Sequence, residues 1–233
     1  MEIILLRHAQ PDWLGHQGHD PNDPGLTELG RHKAEELSAS LGRESFDSIQ
    51  VSPYRRSQET AKAVLKNREF ETQEWLREIR LPSFERKSSE QVSQFFKTVK
   101  ARPLQSWWDG IPGGEPFREF QTRISQGLLK NLKQLGVERM RPESDDDRHL
   151  FSISPEAYRS RHLIVSHLGT SGLILSELLH IELVPWIWES FTLDWNGIVR
   201  LETAQVADGY VFCLRQFNEN GHRDPSLGLP KEK

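Results

Sequence analysis

Two short apolar runs that each end in a histidine constrain the fold of this chain more than any other feature. Ile3 to Leu6 leads directly into Arg7-His8, and His162 to Ser166 leads into His167. Runs this short do not make helices. Apolar residues at successive positions, rather than at alternate ones, suit strands buried on both faces. Strands of that kind lie in sheets covered by helices on both sides. The polar residues that follow them then stand at the carboxyl edge, where ligands bind in open α/β sheets.

The rest of the chain supplies the covering helices. Residues 9 to 25 hold Pro11, Gly15, Gly18, Pro21, Pro24 and Gly25 and read as a loop after the first strand. Thr27 caps a helix with the stripe Gly30, Ala34, Leu37, Leu41, closed by Gly42. Phe46 to Ser52 reads as a strand, and Pro53 opens a helix carrying Ala61, Val64 and Leu65. Phe70 to Trp75 is a further strand. Ile79 to Pro112 is an irregular excursion over one end of the sheet, with a helix at Gln91 to Lys100. Phe117, Phe120, Ile124, Leu128, Leu132 and Leu135 define a helix from about Glu115 to Leu135.

Arg141 to Arg161 is polar, with Asp145, Asp146 and Asp147 at its centre, and is expected outside the core. Gly169 opens an apolar helix over Leu173 to Leu179. Phe191 to Trp195, Ile198 to Thr203 and Tyr210 to Phe217 alternate as strands around Asn196-Gly197 and Asp208-Gly209 turns. The expected fold is an α/β three-layer sandwich, a mostly parallel central sheet with helices on both faces. The expected organisation is a single domain over 1–217, with insertions near 79–112 and 141–161 and a polar tail over 218–233.

Composition narrows the function. The 233 residues favour one domain with insertions over two domains. Thirty basic against 34 acidic residues give a net charge of −4, so no global positive field recruits nucleic acid or anionic lipid. A mean hydropathy of −0.63 with no long apolar run argues against a membrane span. A lone cysteine, Cys213, rules out an intrachain disulfide and a cysteine metal cage. The first residues lack the pattern of a secretory signal, and the expected location is cytoplasmic.

Four separated segments place unusual polar residues at strand ends or helix starts: Arg7-His8, Arg55-Arg56, Glu78 and Ser166-His167. The order and context of several motifs resemble the histidine phosphatase superfamily, the group with the phosphoglycerate mutase-like fold. They are Leu6-Arg7-His8-Ala9, Leu26-Thr27-Glu28-Leu29-Gly30, the stretch from Ser52-Pro53-Tyr54-Arg55-Arg56 to Ala61, and Leu76-Arg77-Glu78. Gly113-Gly114-Glu115, Val165-Ser166-His167 and Asn196 before a strand follow in order.

The resemblance implies a phosphomonoester hydrolase with His8 as nucleophile. Arg7, Arg56 and His167 would surround the phosphoryl group, with His167 among the catalytic residues, and no metal or other cofactor is required. Glu78 falls on the family's proton donor, with Asp12, Glu74 and Glu85 as alternatives. Arg55 falls on a variable position and reads as a rim residue. The amides of Leu168 and Gly169 are expected to add to phosphate binding. Ala9, Gln10 and Pro11 depart from the family's small and hydroxyl residues, and Leu168 replaces a common glycine, differences that bear on substrate.

The expected partner is a small phosphorylated substrate, with no nucleic acid and no membrane, and a homodimer is left open. The rival readings are a phosphoglycerate-type mutase and a catalytically silent binding module. His16-Gln17-Gly18-His19-Asp20 lacks fixed ligand spacing and reads as a solvated loop rather than a metal cluster. Trp13, Trp107, Trp108, Trp186 and Trp188 either wall an apolar pocket or pack.

Overall fold

The strands of the computed structural model are β1 (Glu2–Arg7), β2 (Ser48–Val51), β3 (Glu71–Thr72), β4 (Val137–Arg139), β5 (Phe151–Ile153), β6 (Arg161–Ser166), β7 (Ile198–Val206) and β8 (Gly209–Glu219). They form one eight-stranded sheet in the order β3-β2-β6-β1-β7-β8-β5-β4. The helices are α1 (Glu28–Glu36), α2 (Arg55–Leu65), α3 (Ser89–Lys100), α4 (Phe117–Gln134), α5 (Leu168–Leu178) and α6 (Ile187–Ser190). The structure describes residues 1–13, 23–66, 68–84, 87–140 and 149–221.

Successive residues of a strand point to opposite faces, which is why β1 and β6 are apolar at successive positions. Ile3, Leu5 and Ile164 face one core, with Phe117, Phe120, Ile124 and Leu128 of α4 and Leu173 and Ile174 of α5. Ile4, Leu6, Leu163 and Val165 face the other, with Ala34 of α1 and Ala61, Val64 and Leu65 of α2. The result is a three-layer α/β sandwich. No helix among the described residues is long and apolar enough to cross a membrane.

Local chemistry sets the helix ends. Thr27 Oγ1 accepts the Gly30 N–H at 2.9 Å and starts α1. Ser88 and Gln91 form a reciprocal capping box at α3. After Leu135, Gly136 at φ 79° turns the chain out of α4.

Several elements differ from their sequence reading. The sheet is parallel from β3 through β2 and β6 to β1, and antiparallel from β1 through β7, β8 and β5 to β4. The mostly parallel expectation therefore describes only half of it. Two of its four antiparallel pairings, β4–β5 and β7–β8, join strands consecutive in the chain, and the short turn between β7 and β8 can join them only in that sense.

Phe191 to Trp195 is not a strand. It is irregular chain whose alternation reflects the inward packing of Leu193 and Trp195. Helix α1 stops at Glu36, and two 3-10 turns, Leu37–Ala39 and Leu41–Arg43, carry the chain on to β2. Strands β4 and β5 were not anticipated, and Phe151 of β5 is buried, so the stretch from Arg141 to Arg161 is not wholly outside the core. Asp145, Asp146 and Asp147 lie outside the described residues, as do Glu85 and the His16 to Asp20 stretch.

Candidate active site

Arg7 and Ser166 are register partners at the carboxyl ends of the adjacent parallel strands β1 and β6. The next residues, His8 and His167, therefore emerge side by side, with ring centroids 5.1 Å apart. Strand β2 flanks β6 on its other side, and the Ser52 N–H just beyond it donates to the Val165 carbonyl at 3.0 Å. The chain then turns into α2, whose first turn carries Arg56. The four side chains are almost inaccessible: Arg7 at 7%, His8 at 5%, Arg56 at 4% and His167 at 0%.

His8 Nδ1 lies 2.7 Å from the Ala9 carbonyl. A carbonyl only accepts, so Nδ1 carries the hydrogen and Nε2 keeps its lone pair. Burial above all, then the Arg56 and Arg7 charges, hold the His8 pKa well below the usual histidine range. The Ala9 N–H in turn donates to Thr60 Oγ1 at 2.9 Å, and the Thr60 hydroxyl donates to the Arg56 carbonyl at 2.7 Å. Asn196, at φ 60°, closes the far side with its N–H 3.4 Å from the His8 carbonyl.

His167 is depressed in the same way, by burial first and then by Arg56, His8 and Arg7. Its Nε2 is 2.7 Å from Ser52 Oγ, while its buried Nδ1 has no hydrogen bond. Arg56 likewise has Nε and Nη1 buried without hydrogen bonds. Asp23 stands 3.6 Å from Nη1, and the guanidinium lies over the rings of Tyr54 at 4.6 Å and Trp13 at 5.4 Å. Arg7 Nη1 donates to the Leu193 carbonyl at 2.6 Å. Two buried guanidiniums beside two neutral imidazoles make a positive, buried site in which an anion with several acceptor oxygens would satisfy the open donors.

Glu78 follows the 3-10 turn Glu74–Leu76 and reaches the start of α5. Its Oε2 accepts the Gly169 N–H at 2.8 Å and its Oε1 accepts the Ile79 N–H at 3.0 Å. Burial pushes its pKa up, against those two amides and the Arg56 and Arg7 charges. The Gly169 amide, expected on phosphate, is thus engaged by Glu78. A Cβ at Gly169 would stand 2.5 Å from Oε1, so a larger residue there would push the Glu78 carboxylate aside.

Glu74 is exposed and pairs with Arg77 at 3.4 Å. Asp12 is held by its backbone to the Gly25 carbonyl at 2.9 Å. Arg55 forms a 2.6 Å ion pair with Glu59 at the rim. Trp107 and Trp186 meet edge to face, and Trp108 and Trp188 pack on Phe117. Of the five tryptophans, Trp13 stacks on a candidate site residue, Arg56. Among the described residues, no group of three or more His, Cys, Asp or Glu is arranged to hold a metal ion.

Sequence reasoning assigned no role to Ser52 or Thr60, although both lie within the Ser52 to Ala61 motif. The Leu193 contribution left no signal, being a main-chain carbonyl.

Known proteins resemble this chain in sequence and in fold. The chain is 27% identical over 182 residues to a probable phosphoglycerate mutase of Photorhabdus laumondii, covering 77% of this chain and 75% of that protein. It is also 27% identical over 186 residues to the adenosylcobalamin/alpha-ribazole phosphatase of Escherichia coli, covering 77% and 79%. The crystal structure of a putative alpha-ribazole-5'-P phosphatase from Escherichia coli superposes with a TM-score of 0.67 at 20% identity, covering 99% of both chains. The family model of the histidine phosphatase superfamily (branch 1) matches residues 3–140, and this chain belongs to that superfamily.

Proposed function

We propose that the protein is a metal-independent phosphomonoester hydrolase that works through a phosphohistidine on His8. The observation that carries this reading is the fixed tautomer of His8, neutral and with Nε2 as its lone-pair nitrogen, among buried guanidiniums.

In the first step Nε2 attacks phosphorus and the bond to the leaving oxygen breaks. Arg7, Arg56 and His167 hold the equatorial oxygens, and the Glu78 carboxylic acid gives its proton to the departing alkoxide. With the Ser52 hydroxyl donating to His167 Nε2, the His167 proton sits on Nδ1, where it donates to a phosphoryl oxygen. In the second step the Glu78 carboxylate takes a proton from water, the resulting hydroxide attacks phosphorus, and the N–P bond breaks to release phosphate and neutral His8.

The substrate class is a small phosphorylated molecule. The net charge of −4 offers nothing general to nucleic acid and supports that choice. We also read the enzyme as cytoplasmic. One relative is a probable phosphoglycerate mutase, and that reading differs in returning the phosphoryl group to substrate instead of water.

Purified protein should hydrolyse p-nitrophenyl phosphate in the presence of a chelator, because the arginines supply the charge a metal would otherwise bring. His8→Ala should abolish turnover and the acid-labile phosphoryl label on the chain, and Arg55→Ala should retain most activity. Strict dependence on added divalent metal, or an active His8→Ala variant, would overturn the reading. Transfer of phosphate between two positions of a phosphoglycerate without net release would identify the mutase.

A further inference from the structure

Glu78 sits on irregular chain, residues 77 to 80, with neither a strand nor a helix to fix its backbone. A proton donor needs a fixed place to within a fraction of an ångström. One ion pair brackets this segment on both sides. Arg123 Nη1 donates to the carbonyls of Trp75 at 3.0 Å and Arg77 at 2.8 Å. Its Nε and Nη2 donate to the Glu115 carboxylate at 3.2, 3.0 and 2.8 Å.

Glu115 then grips the other flank. Its Oε2 accepts the Arg80 N–H at 3.0 Å and its own N–H donates to the Arg80 carbonyl at 2.8 Å. The pair is largely shielded, at 20% and 13% side-chain exposure. Arg123 lies on α4 between the buried Phe120 and Ile124, so the clamp is anchored in the core. Gly113, at φ 78°, makes the turn that leads into Glu115. From the opposite side the Thr170 hydroxyl donates to the Arg77 carbonyl at 3.2 Å, which ties the segment to α5 and hence to His167.

We infer that the Arg123–Glu115 pair is a positioning device for Glu78, setting where the acid delivers its proton. The inference rests on the reading of Glu78 as proton donor. Arginine suits the task because one planar fork serves two carbonyls and a carboxylate at once, which lysine cannot do.

A pair that merely stabilises the loop would lower turnover of every substrate alike. A positioning pair acts through the leaving group. An alkyl phosphate needs protonation of its alkoxide, whereas a nitrophenolate leaves unaided. The test measures kcat/KM for an alkyl and an aryl phosphate in Glu78→Gln, Arg123→Gln, Arg123→Lys, Glu115→Gln and the Glu78→Gln/Arg123→Gln double variant, with thermal melts alongside.

Arg123→Gln should lower the alkyl-to-aryl ratio by about tenfold or more. Arg123→Lys should recover little of that loss. The double variant should show no selective loss beyond Glu78→Gln alone, since both changes remove the same function. Should Arg123→Gln fail to fold, Glu115→Gln carries the same expectation, because an amide oxygen still accepts the Arg80 N–H while the charged clamp is gone. A selective Glu78→Gln with unselective Arg123→Gln and Glu115→Gln would overturn the positioning role alone. An unselective Glu78→Gln would overturn the donor reading, and the inference with it.

Discussion

The Ala9 carbonyl fixes which nitrogen of His8 keeps its lone pair, and burial first, then the two arginines, favour the neutral ring. In the proposed mechanism His8 must be neutral to attack, and its depressed pKa keeps it so below the pH at which an ordinary histidine is charged. In that mechanism Glu78 must be protonated to help an alkoxide leave, and its raised pKa extends the acid form upward. The two signs give a prediction. For an alkyl phosphate, kcat/KM should fall on the alkaline side as pH rises through the Glu78 pKa, and for an aryl phosphate it should not. Glu78→Gln should remove that limb. An alkaline limb common to both substrates and persisting in Glu78→Gln would assign the titration to another group. Arg7, His8, Arg56 and His167 were legible as a converging set because each ends or follows a strand or lies in the first turn of a helix inside a recognisable motif. The Gly169 amide was misread, because only the structure reveals that the Glu78 carboxylate reaches it first. Ser52 and Thr60 act on the imidazole and the backbone through hydroxyls, and a hydroxyl in sequence does not tell which of its many partners it meets.

Among elements, β5 is where reading by average polarity failed. The stretch from Arg141 to Arg161 is polar as a whole, but one residue in it, Phe151, lies at 1% exposure and meets Phe212 edge to face at 5.2 Å. Its backbone pairs with Tyr210 of β8, and β5 links β4 to the rest of the sheet. Phe151→Ala should therefore cost about 3–5 kcal/mol, as truncation of a buried phenylalanine does. Leu104→Ala, at a residue 56% exposed, should change stability by less than about 0.5 kcal/mol. Denaturant midpoints measure both, and a Phe151→Ala variant as stable as the parent would return the segment to the periphery. Helices α2 and α4 were legible because a stripe repeated over several turns survives a few polar intrusions. Strand β3, two residues long, lies inside the longer run Phe70 to Trp75 read as a strand, whereas β4 has three residues, too few for any alternation to register. The reverse error at Phe191 to Trp195 has the same origin, since two inward residues two apart are the pattern of a strand and also of irregular chain crossing a sheet edge.

At the scale of the whole molecule, buried histidines make the fold sensitive to acid. His8, His167 and His162 all have lowered pKa values, mainly through burial. An unfolded chain takes up protons on these residues as pH falls through about 6.5, whereas the folded chain refuses them. Their contribution is thus complete above that pH and is lost as pH falls towards the folded values. The slope is at most about 1.4 kcal/mol per pH unit for each fully buried histidine. Glu78 opposes this trend, because protonation relieves its buried charge as pH falls. The lowered carboxylates of Glu44 and Glu59 add acid sensitivity only nearer the ordinary carboxylate range. Between pH 7 and pH 5.5 the histidines should therefore set the trend, and stability from denaturant melts should decline. Arg56 is the largest charge acting on both His8 and His167, so Arg56→Gln should make the decline shallower without abolishing it, because burial remains. His162→Gln should remove its share independently, since that residue lies at the opposite end of β6 from His167. Stability that is flat over this range, or a slope unchanged by Arg56→Gln, would mean that the arginine does not hold the two imidazoles neutral.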